Sequence, residues 1–248
     1  MTSNLGNKCK KIRRDILQAS YDAGACHISS ALSCVEILVA LYYDILNDKD
    51  VFLFSKASGV ATLYSILHDK GIEKRDVAKL LRKFPLPSKE VSGVVWSGGS
   101  LGMGLSVSSG IAMNKKENVY CLISDGELNE GNVWESLLFS AHHKLSNLIV
   151  ICDRNFLQAV GRTEDVLKLE PLVDKLKAFN WSVKRVDGHD IGKIKKSLNG
   201  WKSNKPKILI CDTTKGKGVS FIEDKMEWHY KNVDENLLSK ALKEIDEK

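Results

Sequence analysis

The stretch Val119-Tyr-Cys-Leu-Ile-Ser-Asp-Gly-Glu-Leu-Asn-Glu-Gly131 gives the clearest indication of the fold, together with Leu148-Ile-Val-Ile-Cys-Asp-Arg-Asn155. In each stretch a run of apolar residues ends in polar residues, which include Asp125 in the first and Asn155 in the second. Near-continuous apolar runs are typical of parallel strands that are covered on both faces. Thirty positions separate Asp125 from Asn155, which leaves room for a helix between the strands and predicts one βαβ unit.

Similar runs recur along the chain, with helical apolar patterns before and between them. The predicted strands cover residues 51–54, 119–123, 148–152, 181–186 and 207–211. Helical patterns are centred on Ile16, Leu38 and Leu137–Leu138, and further helices are predicted over residues 165–179 and 234–248. This alternation predicts an α/β fold, with a doubly wound, mainly parallel sheet and helices on both faces. No linker divides the chain, so we expect residues 1–248 to form a single domain.

Composition excludes several classes of protein. With 248 residues, 43% hydrophobic and 27% charged, the chain is neither disordered nor a disulfide-stapled miniprotein. No apolar run approaches the roughly 18 residues of a membrane span. The net charge of +6 comes from interspersed basic and acidic residues, which favours a solvated surface over a nucleic-acid site. Six cysteines without a C-x-x-C pair and no apparent secretory signal indicate free thiols and a cytoplasmic location.

The polar residues that follow the two deciding strands form a candidate ligand site. In doubly wound sheets, ligands bind beyond the carboxyl ends of the strands. The carboxylate of Asp125 and the amide oxygen of Asn155 are hard oxygen ligands that suit Mg²⁺ or Ca²⁺. Gly126 lets the backbone approach a phosphate closely. Together they predict a site for a metal-bridged diphosphate; the alternative is that Asp125 and Asn155 only form turns.

Six blocks in order along the chain carry a resemblance to a known family. They are Cys26-His-Ile-Ser-Ser-Ala-Leu-Ser33, Phe54-Ser-Lys56, Gly99-Ser-Leu-Gly-Met-Gly-Leu105, Asp125-Gly-Glu-Leu-Asn-Glu-Gly131, Asp153-Arg-Asn155, and Lys215-Gly-Lys-Gly-Val-Ser220 with Trp228-His229. Asp-Gly followed after about thirty residues by Asn is similar to the thiamine diphosphate motif. The whole set resembles the amino-terminal, thiamine diphosphate-binding domain of transketolase.

The resemblance implies a set of cofactor ligands. Asp125, Asn155 and the backbone carbonyl of Leu157 would hold the metal ion, Mg²⁺ or Ca²⁺. The amide of Gly126 would bind the diphosphate of thiamine diphosphate. The residues that would run beneath the aminopyrimidine ring are Gly99, Ser100 and Leu101.

The resemblance also implies catalytic residues and shows two departures from the family. His27 and His229 match histidines near the diphosphate and the donor sugar that assist proton transfer, and Glu130 matches a buried acid between two cofactor sites. Ser58 stands where the family usually has a histidine near the diphosphate, and Leu86 replaces a second one near the donor sugar. Serine can donate a hydrogen bond but cannot shuttle a proton near neutral pH, which puts the usual phosphoketose specificity in doubt.

The remaining four histidines are interpreted as structural or surface residues. His142 and His143 are neighbours on a predicted helix and point about 100° apart, so they cannot face one ligand. His68 lies on another predicted helix. His189 lies in the turn Asp187-Gly-His-Asp190, which is expected to cap a helix.

Because full transketolases are more than twice as long, the resemblance implies that a second polypeptide supplies the pyrimidine-binding and carboxy-terminal domains. We therefore expect the small subunit of a two-chain transferase, active only with that partner and assembled as a heterotetramer through self-association. The expected reaction moves a two-carbon ketol unit between sugar phosphates in carbohydrate metabolism. The alternatives are a subunit of a deoxyxylulose-phosphate-synthase-like carboligase and a non-catalytic cofactor-binding scaffold. A Mg²⁺-dependent phosphatase is disfavoured, since no Asp-x-Asp nucleophile is present.

Overall fold

Five parallel strands form the centre of the molecule in a computed structural model that describes residues 2–247. The strands are β1 (Val51–Phe54), β2 (Val119–Ser124), β3 (Leu148–Arg154), β4 (Ser182–Asp187) and β5 (Lys207–Asp212). Their order across the sheet is β1-β2-β3-β5-β4. Each strand lies where an apolar or β-branched run predicts it, so the sequence-based strand assignment is confirmed.

Eleven α-helices connect and flank these strands within the described residues. They are α1 (Thr2–Ala23), α2 (Ile28–Ser33), α3 (Val35–Ala40), α4 (Val60–Asp69), α5 (Val77–Lys83), α6 (Met103–Met113), α7 (Gly131–His142), α8 (Thr163–Val166), α9 (Leu172–Ala178), α10 (Ile191–Leu198) and α11 (Glu235–Glu247). A π-helical turn follows α3 at Leu41–Ile45, and short 3₁₀ turns include Ala57–Gly59 and Gly126–Asn129.

Side chains of each strand alternate between two apolar layers, one on each face of the sheet. In β2, Tyr120 and Leu122 pack in the layer built from α1–α5, α10 and α11. Cys121 and Ile123 pack in the opposite layer with α6, α7 and α9. Because both faces are covered, the strands other than the edge strand β4 are mainly apolar, and the prediction of a doubly wound α/β fold is confirmed.

The carboxyl ends of the central strands meet at one edge of the sheet. In β2 and β3, Ser124 lies opposite Asp153, and Asp153 in turn lies opposite Cys211 of β5. The loops after β1, β2, β3 and β5 therefore open at this edge, where the sequence places its candidate ligand site.

The helix predicted over residues 165–179 is wrong. Helix α8 ends at Val166 and α9 begins at Leu172, with Pro171 as the residue before it. Proline disfavours a helical conformation at the residue before it, so the chain cannot pass through position 170 as a helix. The carboxylate of Glu164 instead accepts hydrogen bonds from the amides of Leu169 and Glu170, at 3.2 and 3.3 Å.

Two smaller expectations need adjustment. Leu138, which the helical pattern groups with Leu137 on an apolar stripe, is 59% exposed on α7, whereas Leu137 is buried. The last helix begins at Glu235, after Asp234 accepts a hydrogen bond from the amide of Leu237 at 2.8 Å. Its predicted last residue, Lys248, lies outside the described residues.

All six cysteines are free thiols, and Cys26 is the exposed one among them. Across residues 2–247, no helix has both the length and the apolar character needed to cross a membrane.

Two glycines on α6 give a matched test of how closely this helix packs on β1. A Cβ on Gly104 would lie 2.4 Å from Cβ of Ser55 and 2.9 Å from Cδ2 of Leu53, whereas one on Gly110 meets nothing within 4 Å. We expect Gly104→Ala to lower the free energy of unfolding by about 1–3 kcal/mol through overpacking. Gly110→Ala is expected to raise it by about 0.4–1 kcal/mol, since alanine favours the helix. Urea unfolding measures both, and equal effects of the two variants would contradict this packing.

Candidate active site

The loops at the carboxyl edge of the sheet enclose a cavity of about 390 Å³. It brings together most of the residues that the sequence singled out. The predicted residues that line it are His27, Ser58, Gly99, Leu101, Asp125, Gly126, Asn155, Leu157 and His229. Two predicted residues do not line it: Ser100 and Glu130 are both exposed in the chain.

Asp125 and Asn155 converge on this cavity from neighbouring strands. The amide of Asp125 donates to the carbonyl of Asp153 at 3.1 Å, and Oδ2 of Asp125 accepts from the amide of Phe156 at 2.8 Å. The carboxylate of Asp125 thus contacts the two sequence neighbours of Asn155, Arg154 and Phe156. Oδ1 of Asn155 accepts from the amide of Leu157 at 3.1 Å, so the turn-forming interpretation also holds for this residue.

The buried carboxylate of Asp125 accepts hydrogen bonds on only one of its two oxygens among the described residues. Oδ2 also accepts from the Arg154 guanidinium at 2.9 Å and the Thr163 hydroxyl at 3.1 Å, while Oδ1 accepts no hydrogen bond among the described residues. Burial raises the pKa of Asp125, against the opposing effect of Arg154, and the nearby charge of Asp153 adds to the rise. The site therefore holds a buried carboxylate whose ionised form would be stabilised by a further cation.

The carbonyl of Leu157, the third predicted metal ligand, accepts a hydrogen bond from Nζ of Lys215 at 3.0 Å. A carbonyl oxygen has two lone pairs, so this bond leaves one for another partner. The assignment of Leu157 as a metal ligand stays a prediction.

A buried ion pair lies beneath the cavity. Nζ of Lys56 is 2.6 Å from Oδ2 of Asp153, and both side chains are almost completely buried. Lys56 also donates to the hydroxyl of Ser33 at 2.8 Å, and that hydroxyl donates to the same carboxylate oxygen at 2.6 Å. Burial alone would raise the pKa of Asp153, but the Lys56 charge and the hydrogen bonds from Lys56, Ser33 and Thr213 outweigh it and lower this pKa.

A second buried acid, Glu127, shapes the loop that precedes α6. Its carboxylate accepts from the amide of Gly102 at 3.1 Å, from the amide of Ser124 at 2.7 Å and from the Ser55 hydroxyl. Burial raises the pKa of Glu127, and these hydrogen bonds oppose the rise. Gly102 has φ of 80°, and a Cβ there would lie 2.3 Å from Oδ1 of Asn132, so this turn requires glycine.

His27 and His229 pack against each other in the cavity wall. Their ring centroids are 5.0 Å apart at nearly perpendicular planes, and Tyr230 packs at 5.5 and 4.7 Å from the two rings. His27 has φ of 69°, an uncommon left-handed conformation for a residue with a side chain, at the residue before α2. Burial, then the charges of Lys215 and Lys56, lower the pKa of His27.

Burial and the neighbouring Lys215 together keep His229 neutral. Nζ of Lys215 lies 2.7 Å from Nδ1 of the imidazole. Burial, followed by the charge of Lys215, lowers the pKa of His229 to about 3, and burial lowers the pKa of Lys215 to about 8. At neutral pH the lysine is therefore the donor and Nδ1 the acceptor, which leaves the imidazole proton on Nε2.

The two departures from the family lie in the same cavity wall. Ser58 belongs to the 3₁₀ turn Ala57–Gly59, and its hydroxyl makes no hydrogen bond among the described residues. Leu86 packs over Gly99, where a Cβ would come 2.7 Å from Cδ1 of Leu86. The leucine side chain thus presents an apolar wall where the resemblance predicts an imidazole.

Several residues of the site were not predicted from the sequence. Lys56, Glu127 and Lys215 lie inside the quoted blocks but received no role. For Lys56 a signal is present, because a charged residue lies two positions after the end of a buried strand. No local pattern shows that Lys215 reaches the carbonyl of Leu157, 58 positions away.

Comparison with known proteins places the chain in a family. The profile of the family described as "Transketolase, thiamine diphosphate binding domain" matches residues 8–244. The chain belongs to the transketolase family. The resemblance inferred from the six sequence blocks is thereby confirmed.

Relatives of this transketolase-family chain are of two lengths. It is 36% identical to one subunit of the apulose-4-phosphate transketolase of Phocaeicola vulgatus, over 96% of this chain and 92% of the relative. It is 31% identical to a 6-deoxy-6-sulfo-D-fructose transketolase subunit of a Clostridium species, over 98% of this chain and 96% of that relative. Human transketolase is 30% identical over 97% of this chain, which spans 42% of the human protein.

A solved structure agrees with the fold. The transketolase of Campylobacter jejuni superposes with a TM-score of 0.81 at 26% identity, covering 98% of this chain and 42% of that protein.

A double-mutant cycle tests whether Lys56 and Asp153 are energetically coupled. Lys56→Met leaves the Asp153 carboxylate buried without its cation and is expected to cost about 3–5 kcal/mol of stability. In the double variant with Asp153→Asn, we expect a loss smaller than the sum of the single losses by about 1–3 kcal/mol. Urea unfolding of the chain measures all three variants, and additive losses would show that the pair is not coupled.

Proposed function

We propose that this chain is the small subunit of a two-chain transketolase-like transferase, and that residues 1–248 act as a single domain binding the diphosphate of magnesium thiamine diphosphate. The reaction is the transfer of a two-carbon ketol unit between sugar phosphates. Six free thiols suit a reducing compartment, so we also propose a cytoplasmic location.

The observation that carries this proposal is the unbalanced charge of Lys215. Its ammonium is buried at the cavity wall, where it donates to the carbonyl of Leu157 and to His229, and forms no ion pair with a carboxylate among the described residues. A buried cation without a counterion is costly, which is consistent with the lowered pKa of this lysine. An anionic group in the cavity would balance that charge.

The other residues of the cavity fit a diphosphate that carries a divalent cation. Asp125 contributes the unbonded Oδ1, and Asn155 contributes a second oxygen; both are ligands that Mg²⁺ prefers, and Ca²⁺ would accept them too. The amide of Gly126 donates no hydrogen bond among the described residues and is free to bind a phosphate oxygen. The donor set therefore supports a metal-bridged diphosphate held by Asp125, Asn155, Leu157 and Gly126.

When bound, thiamine diphosphate supplies the nucleophilic carbon that attacks a ketose carbonyl. The side chains of this chain would bind the cofactor and orient the substrate. Neutral His229 presents its Nε2–H as a hydrogen-bond donor, held in that tautomer by Lys215. His27, packed edge-on against His229, is proposed to assist proton transfer, and Ser58 to donate a hydrogen bond. Residues 99–101 would support the aminopyrimidine.

The names of the similar proteins support a partner polypeptide. Two relatives of nearly the same length are each named as one lettered subunit of an apulose-4-phosphate transketolase, which implies a second chain in those enzymes. We propose that the partner of this chain carries the pyrimidine-binding and carboxy-terminal domains, and that two copies of each chain form a heterotetramer. Glu130 is exposed at the start of α7, and we propose that the contact between two copies buries it.

The apolar wall at Leu86 is relevant to the identity of the donor sugar. Relatives are named for apulose 4-phosphate and for 6-deoxy-6-sulfo-D-fructose. Because Ser58 and Leu86 replace two imidazoles, we propose a donor sugar that differs from the common phosphoketoses.

Asp125 provides the test of metal and cofactor binding. We expect Asp125→Asn to weaken binding of magnesium thiamine diphosphate to the two-chain complex by about 100-fold or more. Even residues that only hydrogen bond to a metal ligand are typically worth about 10–100-fold. Isothermal titration calorimetry measures the affinity. The matched control is Asp174→Asn on the exposed surface of α9, and equal affinities of the two variants would refute the site.

Substitution of His229 distinguishes a catalytic subunit from a non-catalytic scaffold. In the complex with the partner, we expect His229→Ala to lower the rate of ketol transfer by about 100-fold, whereas His68→Ala, an exposed residue of α4, leaves it unchanged. An undiminished rate for His229→Ala would favour a non-catalytic scaffold. Turnover of pyruvate with an aldose phosphate, but none with ketose phosphate donors, would favour the carboligase.

A further inference from the structure

Three polar side chains from distant parts of the chain form a cluster beside the cavity, and none of them lines it. Arg13 of α1 pairs with Glu36 of α3 through Nη1 at 2.7 Å and Nη2 at 2.8 Å. Nδ1 of His189, from the loop between β4 and α10, lies 3.0 Å from Oε2 of the same glutamate. Asp190 caps α10, so the expected capping role belongs to Asp190 and leaves His189 to this cluster.

The geometry fixes the tautomer of His189. The backbone amide of Thr214 donates a hydrogen bond to Nε2 of His189 at 2.8 Å. Nε2 is therefore an acceptor without a proton, and Nδ1 carries the proton and donates it to Glu36. The imidazole is neutral in this arrangement.

The cluster holds the loop after β5 at two points. His189 accepts from the amide of Thr214, and Nε of Arg13 donates to the carbonyl of Lys217 at 2.9 Å. Lys215 lies between these points, and the next residue, Gly216, donates to the carbonyl of Ser29 at 2.9 Å. The Lys215 side chain thus extends into the cavity from a backbone that the cluster fixes on both sides.

We propose that His189 is a positioning residue of the cofactor site. Its hydrogen bond with the amide of Thr214 holds the backbone from which the Lys215 ammonium reaches the diphosphate position. This inference rests on the proposed function, because it concerns binding of the same diphosphate. His189 itself touches no ligand.

Two substitutions separate the two hydrogen bonds of His189. The amide of glutamine reaches the place of Nε2, so His189→Gln keeps an acceptor for Thr214 and loses the donor to Glu36. The shorter amide of asparagine reaches the place of Nδ1, so His189→Asn keeps the donor to Glu36 and loses the acceptor for Thr214. His68→Gln on the exposed face of α4 serves as the control.

Magnesium pyrophosphate is the probe, because it is the part of the cofactor assigned to this chain. Calorimetry with the full chain near pH 8 is expected to show about tenfold weaker binding for His189→Asn, and binding within about threefold of the unsubstituted chain for His189→Gln.

Amide hydrogen exchange of residues 213–218 gives a readout that needs no ligand. We expect faster exchange in His189→Asn than in His189→Gln. Equal exchange and equal affinity of the two variants, or weaker binding by His189→Gln than by His189→Asn, would overturn the positioning role. If the unsubstituted chain bound no magnesium pyrophosphate, the proposed function would be in question, and the exchange rates alone would decide whether His189 holds the loop.

Discussion

The buried ion pair of Lys56 and Asp153 is the interaction on which the site depends. Lys56 follows β1 and Asp153 lies near the end of β3, with β2 between these strands. Through Ser33 the pair reaches α2, and through the Thr213 hydroxyl it reaches the end of β5. Since a buried charge is tolerated only with a partner, neither residue can move without the other. The pair therefore fixes the ends of three strands and one helix relative to each other.

Charges around the cavity support the proposal that the site binds an anion together with a divalent cation. Lys56 is neutralised by Asp153, and Arg154 by Asp125 and Glu164, whereas Lys215 has no acidic partner among the described residues. Asp125 shares its single negative charge with Arg154 yet keeps Oδ1 unbonded. An anion beside Lys215 and a cation beside Asp125 would satisfy both groups at once. A metal-bridged diphosphate supplies both charges in one ligand, which neither a free phosphate nor a metal ion alone would do.

The fold was predictable because most of its strands are buried on both faces, and burial leaves near-continuous apolar runs in the sequence. The convergence of Asp125 and Asn155 was predictable too, since parallel neighbours end at one edge. The features of the site that the sequence did not predict depend on contacts between distant positions. The reach of Lys215 to Leu157 and the bond of His189 to Thr214 leave no local pattern. The break before Pro171 carries a local signal, but the helical periodicity on both sides of it favours one continuous helix.

Exposure at the rim of the cavity supports the proposal that another chain completes this part of the site. Lys56, Asp125 and Asp153 are buried at its base, whereas Leu101 is 51%, Val160 75% and Tyr230 65% exposed at its opening. Apolar side chains that cluster at the mouth of a polar cavity are typical of a surface that another molecule covers. The base is thus buried in the single chain, and its opening is exposed. Closing the opening would remove water from around Lys215 and strengthen its attraction for a diphosphate, because charges interact more strongly at low dielectric. In the proposed complex the partner would therefore add to cofactor affinity even where it makes no contact with the diphosphate.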